Sequence, residues 1–592
     1  MRVLPKFVAA ASLLALVAGC ATVPPPAPPP PMAEAMPPPT VPPPPPPRHD
    51  EFKAFTAAYI EQAFKFSPTF AVAQGRHEYD GQVDDVSPAS IAAQIAWLKG
   101  AIAAAQGFED FQLTPSERFE RDYLIAKAKG QLFWIDPTEG DQPHRNPAFY
   151  TGLVDPSVYV TVPYAAPEVR LKGYIGMLQR VPATLAQMRA NLTTPLPLAY
   201  VDYAKNAFSG YVDYYPGDGL AAWKGVGTAA DQAALKAATA GALAAAKQTV
   251  AWIEGQRATA GTNFALGAPT FQRMLADTEM VTTPLPELQR IGEADLASNQ
   301  ALLRTACSRY APGRSVEACM AKMNADKPVG GAVAGARAQL AGLKQFIIAH
   351  DIVTIPGTEE AKVDEAPPYN RQNFAYINIP GPYEKGLPST YYIAPPDPKW
   401  PKAERDAFVP GQADLLFTSV HEVWPGHFLN FLHSNRSQFL FGRVFVGYAF
   451  AEGWAHYTEE MMRVAGVGGG TDEIMIGQLS NALLRDCRFL SAIGLHSGTM
   501  TLQQSHDLFK TQCYQDEGTA KQQALRGTYD PAYLNYTLGK LMIRKLRDDW
   551  IATRGGRTAW KAFHDQFLSY GGPPIPLVRQ QMMAEPGAKA VF

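Results

Sequence analysis

The stretch His421-Glu422-Val423-Trp424-Pro425-Gly426-His427 decides how this chain is read. Two imidazoles bracket a carboxylate, and a second acidic run follows, Ala451-Glu452-Gly453-Trp454-Ala455-His456-Tyr457-Thr458-Glu459-Glu460. Together they hold the donor inventory of a catalytic zinc site: two histidines, one glutamate, an open position and a spare glutamate to move protons. Six of the chain's 11 histidines fall between positions 421 and 506, which concentrates chemistry there. In His-Glu-x-x-His the histidines stand four residues apart, about 40° around a helix, and both reach one metal. Here they stand six apart, roughly 240° around a straight helix. Pro425-Gly426 supplies the distortion that convergence requires, because proline removes a helix N–H and glycine tolerates unusual backbone angles. The segment therefore reads as a metal-binding helix with a two-residue Pro-Gly insertion and His421 and His427 as ligands. The plain alternative is two unrelated, hydrogen-bonded histidines at a helix end, against which Glu422 and Glu452 argue.

Glu452 falls in a helix expected over 447–464, where positions 452, 456 and 459 share one face. It is the expected third ligand. His456 and Glu459 then stand behind to orient a ligand imidazole, with His456 itself left open as a ligand. Glu422 is assigned as general base, since using it as a ligand would leave none. His496 in Gly494-Leu495-His496 and Tyr536 in Asn535-Tyr536-Thr537 are candidate donors to an oxyanion, although each residue type is often structural. One zinc ion is the expected cofactor.

Apolar residues recur at three and four over 52–66, 91–106, 114–134 and 228–256, so the body from 50 to 292 reads as helices. Thr283-Pro284-Leu285-Pro286-Glu287 reads as a helix start, with proline in the first turn. The stretches 374–379 and 390–394 are short, rich in branched and aromatic residues, and bounded by proline and glycine; they read as a small hairpin. From 414 onward the pattern is helical again. The expectation is a mostly α fold, a large helical body with a small β-sheet next to the metal-binding helices. The strand from Tyr391 to Ala394 is expected to offer an edge along which an extended peptide could pair, or else to be part of a plain buried hairpin.

Residues 1–20 have a basic start at Arg2 and Lys6, an apolar run, and the ending Val17-Ala18-Gly19-Cys20, which together read as a lipoprotein signal peptide. Cys20 would carry the lipid, and residues 21–49 form a proline-rich spacer. Ala21, where aspartate would signal inner-membrane retention, favours the outer membrane facing the periplasm. A net charge of −2, without basic runs, excludes the electrostatic footprint of a nucleic-acid binder. Hydrophobic content of 46% over this length supports a large core. Cys307, Cys319, Cys487 and Cys513 permit disulfides in an oxidising compartment. Cys307 with Cys319 is the easier pair to close, though sequence alone does not choose among the three pairings.

The motifs HEVWPGH and AEGWAHYTEE, the segment Arg488 through His496, and the segment Arg526 through Leu541 together resemble the bacterial family grouped as domain of unknown function 885. The resemblance covers nearly everything from about 50 to 590. It implies a mostly helical, zincin-like peptidase of the gluzincin type, with His421, His427 and Glu452 as zinc ligands and Glu422 as base. The expected function is zinc-dependent hydrolysis of amide bonds in short peptides, with 50–292 an N-terminal helical region packed against a peptidase-like region, 293–592. The alternatives are a zinc amidase acting on peptidoglycan-derived peptides, and a non-catalytic peptide-binding envelope lipoprotein.

Overall fold

Helix starts in this chain are written by side chains that satisfy the free N–H groups of a first turn. Thr114 and Glu117 form a reciprocal capping box, as do Thr228 and Asp231. Ser87 and Thr471 accept from the N–H three residues on. The computed structural model describes residues 47–367, 371, 374–583 and 592. The signal segment, Cys20 and nearly all of the proline-rich spacer lie outside the described residues. Residues Pro47–Phe592 cluster as one unit, and the chain is 70% helical with a three-stranded mixed sheet. Among the described residues, no helix is long and apolar enough to cross a membrane.

The principal helices are α1 (His49–Phe66), α2 (Pro88–Gln106), α3 (Pro115–Ile135), α4 (Pro167–Asn191), α5 (Leu198–Tyr214), α6 (Ala229–Gly255) and α7 (Ala268–Glu279). They continue with α8 (Leu285–Tyr310) and α9 (Gly331–Ala349). The sheet follows as β1 (Ala361–Glu365), β2 (Ala375–Asn378) and β3 (Ser389–Ile393). Beyond it come α10 (Gln412–Glu422), α11 (His427–Ser434), α12 (Tyr448–Ala465), α13 (Asp472–Ser497), α14 (Glu517–Tyr529) and α15 (Asn535–Ala552). One apolar core is built mainly on α4, α5 and α6, and a larger one on the helices from α7 onward. Disulfides join Cys307 to Cys319 and Cys487 to Cys513.

The sheet corrects one expectation. β3 pairs antiparallel with β2, as a hairpin reading requires, but it also pairs parallel with β1, giving the order β1-β3-β2. Tyr391 thus faces Val363 on one side and Ile377 on the other. Tyr391 to Ala394 is a central strand, not an edge. β1 escapes sequence reading because Ala-Lys-Val-Asp-Glu has one branched residue among polar neighbours and little strand propensity. Among the described residues the outer strands are β1, which packs beside α9, and β2, which packs beside α10.

Two features fix the helices that frame the site. At the crossing of α12 and α15, a Cβ on Gly453 would lie 2.5 Å from the Gly539 Cα, and one on Gly539 would lie 2.1 Å from the Ala449 carbonyl oxygen. Only glycines let these two backbones touch. The next residue, Lys540, 1% exposed, bonds Asp295 at 2.5 Å and lies 3.8 Å from Asp486. Arg544 joins Asp295 to Glu460 at 3.1 and 3.2 Å, so this network ties α8, α12, α13 and α15 together. Burial alone would raise the Asp295 carboxyl; Lys540 and Arg544 hold it well below the usual range. Lys540→Met takes the buried cation from Asp486 and leaves Asp295 with Arg544 alone. A buried ion pair that loses one partner costs about 3–5 kcal/mol, so chemical denaturation should show a loss of that size.

Candidate metal centre

α10 ends at Glu422 and α11 begins at His427, so the two histidines come from two helices rather than from one bulged helix. This corrects the Pro-Gly insertion reading. The four residues between turn the chain back on itself: the Gly426 N–H donates to the Val420 carbonyl at 2.9 Å. The Trp424–Pro425 peptide is cis. A Cβ at Gly426 would lie 1.8 Å from the His421 carbonyl oxygen, so glycine is required here by close approach rather than by φ. The turn is pinned from the second motif, where the buried Trp454 indole N–H donates to the Pro425 carbonyl at 2.8 Å.

With the turn closed, the His421 and His427 rings stand 4.8 Å apart at 89°. Their Nε2 atoms lie 3.2 and 3.3 Å from the same atom, Glu452 Oε2. Tetrahedral ligands about 2.1 Å from a zinc ion would lie about 3.4 Å from one another. One ligand atom from each of the three residues falls within 4.8 Å of the others, and this trio is the metal-binding grouping found among the described residues. Glu452 Oε2 is buried, yet no hydrogen bond of acceptable angle reaches it; a buried carboxylate oxygen without such a partner calls for a cation. The His427 and Glu452 side chains keep 13% and 19% of their exposure, which leaves an approach from solvent.

Behind the ligands lies a buried network. The His421 Nδ1–H donates to Glu459 Oε1 at 2.7 Å. Glu459, fully buried, also meets Arg485 at 3.3 Å and His456 Nδ1 at 3.3 Å. Burial alone would raise the Glu459 carboxyl, but Arg485, His456 and His421 hold it well below the ordinary range. Burial lowers the His421 imidazole, and Glu452 and Glu459 outweigh it, pushing the group up to about 9, so this pocket favours positive charge. His456 is turned toward Glu459 and lies outside the ligand trio; burial lowers it to about 4, keeping it neutral. Glu459 thus stands behind His421, on the helix face it shares with Glu452 and His456, where it could orient the imidazole. Glu459→Gln should weaken zinc binding by roughly 10–100-fold, the usual cost of losing a carboxylate behind a ligand histidine, as read by competition with a chelating dye.

Glu422, 8% exposed, follows the first ligand directly. Burial raises its carboxyl, with Glu452 adding to the rise and His421 and His427 opposing it. Tyr536 is brought to the site: its ring stacks 6.2 Å from the His421 ring at 21°. Burial and the Glu452 charge push the phenol up, while Arg526 and Arg488 pull it back. His496 is not brought there. Its Nε2 bonds the Gly527 carbonyl at 2.7 Å and its ring stacks on Phe271, so its donor is spent on holding α13 to α14. Sequence reading missed Arg485, which stands in the mixed run Asn481-Ala482-Leu483-Leu484-Arg485-Asp486 with no motif to single it out. Tyr391 is fully buried in β3, and burial, with the Glu422 charge adding to it, raises its phenol.

Two solved structures share this fold. A "putative lipoprotein of unknown function" from Shewanella oneidensis is 24% identical at a TM-score of 0.74, over 90% of this chain and 99% of its own. A "putative lipoprotein" from Colwellia psychrerythraea is 16% identical at a TM-score of 0.77, over 90% and 98%. Among curated proteins, none matches. Residues 68–582, which include every ligand candidate, match the family described as bacterial protein of unknown function (DUF885), and the chain belongs to that family.

Proposed function

We propose that this protein is a zinc-dependent peptidase of the cell envelope that hydrolyses amide bonds in short peptides. The observation that carries the reading is the convergence of two Nε2 atoms on the otherwise unbonded Glu452 Oε2, with Glu422 next in the chain. His421, His427 and Glu452 would hold the ion. When bound, zinc supplies Lewis acidity and acidifies water toward a pKa of about 7.

The chain's own groups do the rest. Glu422 takes the proton of the attacking water, holds it where burial favours the neutral carboxyl, and delivers it to the amine nitrogen as the C–N bond breaks. Tyr536, beside His421, donates toward the carbonyl oxygen as negative charge builds. The outer edge of β2, next to α10, offers main-chain pairing to an extended peptide, the part first expected of Tyr391 to Ala394. Val17-Ala18-Gly19-Cys20 and the lipoprotein names of both structural relatives support anchoring through lipid on Cys20, at the outer membrane facing the periplasm.

Zinc-loaded protein should cleave quenched-fluorescence L-peptides of a few residues, lose that activity to a chelator and regain it with zinc. Cleavage of muropeptides alone would shift the assignment to an amidase. No cleavage of either class by zinc-loaded protein would leave a peptide-binding lipoprotein.

A further inference from the structure

Three arginines surround the Tyr536 ring, with the guanidinium carbons of Arg485, Arg488 and Arg526 at 5.8, 4.8 and 5.8 Å from its centroid. Two of them are compensated. Arg485 meets Glu459 at 3.3 Å and donates to Asn481 Oδ1 at 2.9 Å. Arg526 pairs with Asp530 at 2.9 Å and donates to the Tyr448 hydroxyl at 3.0 Å. Arg488 differs. It is 8% exposed, and no carboxylate among the described residues lies within ion-pair distance of it. Its one hydrogen bond runs from Nε to Gln523 Oε1 at 2.7 Å, which fixes the side chain and leaves the outer guanidinium nitrogens without a protein acceptor.

Burial and the neighbouring Arg526 push this guanidinium down to about 10, so the space around it is electropositive. A planar cation with two parallel N–H groups unspent matches a carboxylate. Arg488 and the His421 ring both pack on Tyr536, at 4.8 and 6.2 Å from its centroid. One or two extended residues, at roughly 3.3–3.6 Å each, carry the chain from an amide beside the His421 ring to a carboxylate in contact with a guanidinium on the same Tyr536 ring.

We propose that Arg488 binds a carboxylate of the substrate, either its C-terminal carboxylate or an acidic side chain one or two residues beyond the cleaved bond. The proposal rests on the peptidase reading and gives it a substrate class: anionic peptides, held by Arg488 while the amide lies over His421, His427 and Glu452. Gln523 holds the guanidinium in place, and Tyr536, in contact with both, links the anion site to the metal ligands.

The test compares full-length wild type with Arg488→Gln and Arg488→Lys, zinc content being measured in each. The substrates are one peptide as its free acid, as its C-terminal amide, and as an amide with glutamate at either of its last two positions. A charged hydrogen-bonded contact is worth roughly 10–100-fold. Wild type should therefore prefer the free acid, or the glutamate amide, by that factor in kcat/KM, mostly through KM. Arg488→Gln should erase the preference with zinc unchanged, and Arg488→Lys should restore part of it. Equal wild-type rates on all the peptides would overturn the proposal, and that comparison stands even where a variant fails to fold. Calorimetric binding of Ala-Phe against Ala-Phe-amide separates the two readings. If nothing is cleaved but the free acid still binds more tightly, and does so only with Arg488 present, the peptidase reading falls and the carboxylate site stands. Equal binding of acid and amide would sink the site.

Discussion

Glu422→Gln should keep its zinc and its fold and lose roughly 10²–10⁴-fold in kcat, the usual contribution of a positioned general base. The change is nearly isosteric, so the packing around this 8% exposed side chain is preserved. His427→Ala is the contrasting variant: it removes one of the two imidazoles that face Glu452 Oε2 and should release the metal. Metal analysis and peptide kinetics on both variants separate the roles. A metal-free Glu422→Gln protein would make Glu422 a ligand and exchange its role with that of Glu452.

Gly426→Ala should be the most damaging single methyl in the protein. The added carbon would lie 1.8 Å from the His421 carbonyl oxygen and 2.4 Å from that of Val420, both backbone atoms that cannot swing aside. Relief requires the turn between α10 and α11 to open, and opening it moves His427 away from His421. Zinc affinity should fall by at least about tenfold, as when a ligand loses its orienting contacts, and overpacking should cost about 1–3 kcal/mol of stability. Gly100→Ala is the control: nothing lies within 4 Å of a Cβ there, and within α2 alanine should stabilise by about 0.5–1 kcal/mol. Thermal melting should move in opposite directions in the two variants, and zinc titration should change in Gly426→Ala alone. Unchanged zinc binding in Gly426→Ala would show that the turn does not shape the site.

The residues that converge at the candidate metal centre were legible because they are local. His421, Glu422, His427, Glu452 and Glu459 lie in two short motifs, and the helical period alone set Glu452, His456 and Glu459 on one face. Helices with sequence caps were equally readable, as at Thr114 and Thr228. What the sequence hid was tertiary. Nothing in Ala361–Glu365 announces a strand, because its place is set by β3 rather than by its own side chains. The i to i+6 spacing points to a break, but the break ends one helix at Glu422 and starts another at His427, and its requirement for Gly426 comes from the nearby His421 and Val420 carbonyls. His496 looked like a donor because its partner, the Gly527 carbonyl, is 31 residues away and contributes no side chain to the pattern. The missing partner of Arg488 was invisible for the same reason: an unpaired cation is recognised only once every neighbour is known.

The central claim is that His421, His427 and Glu452 form one zinc site. Zinc content of the purified protein, measured by mass spectrometry after dialysis against trace zinc, tests it most directly. The geometry predicts about one zinc per chain, by the closed count of three protein ligands plus water, and close to none in His427→Ala. Wild-type protein with less than about half an equivalent that gains none on zinc addition would contradict it, since a site with this donor set fills whenever zinc is supplied.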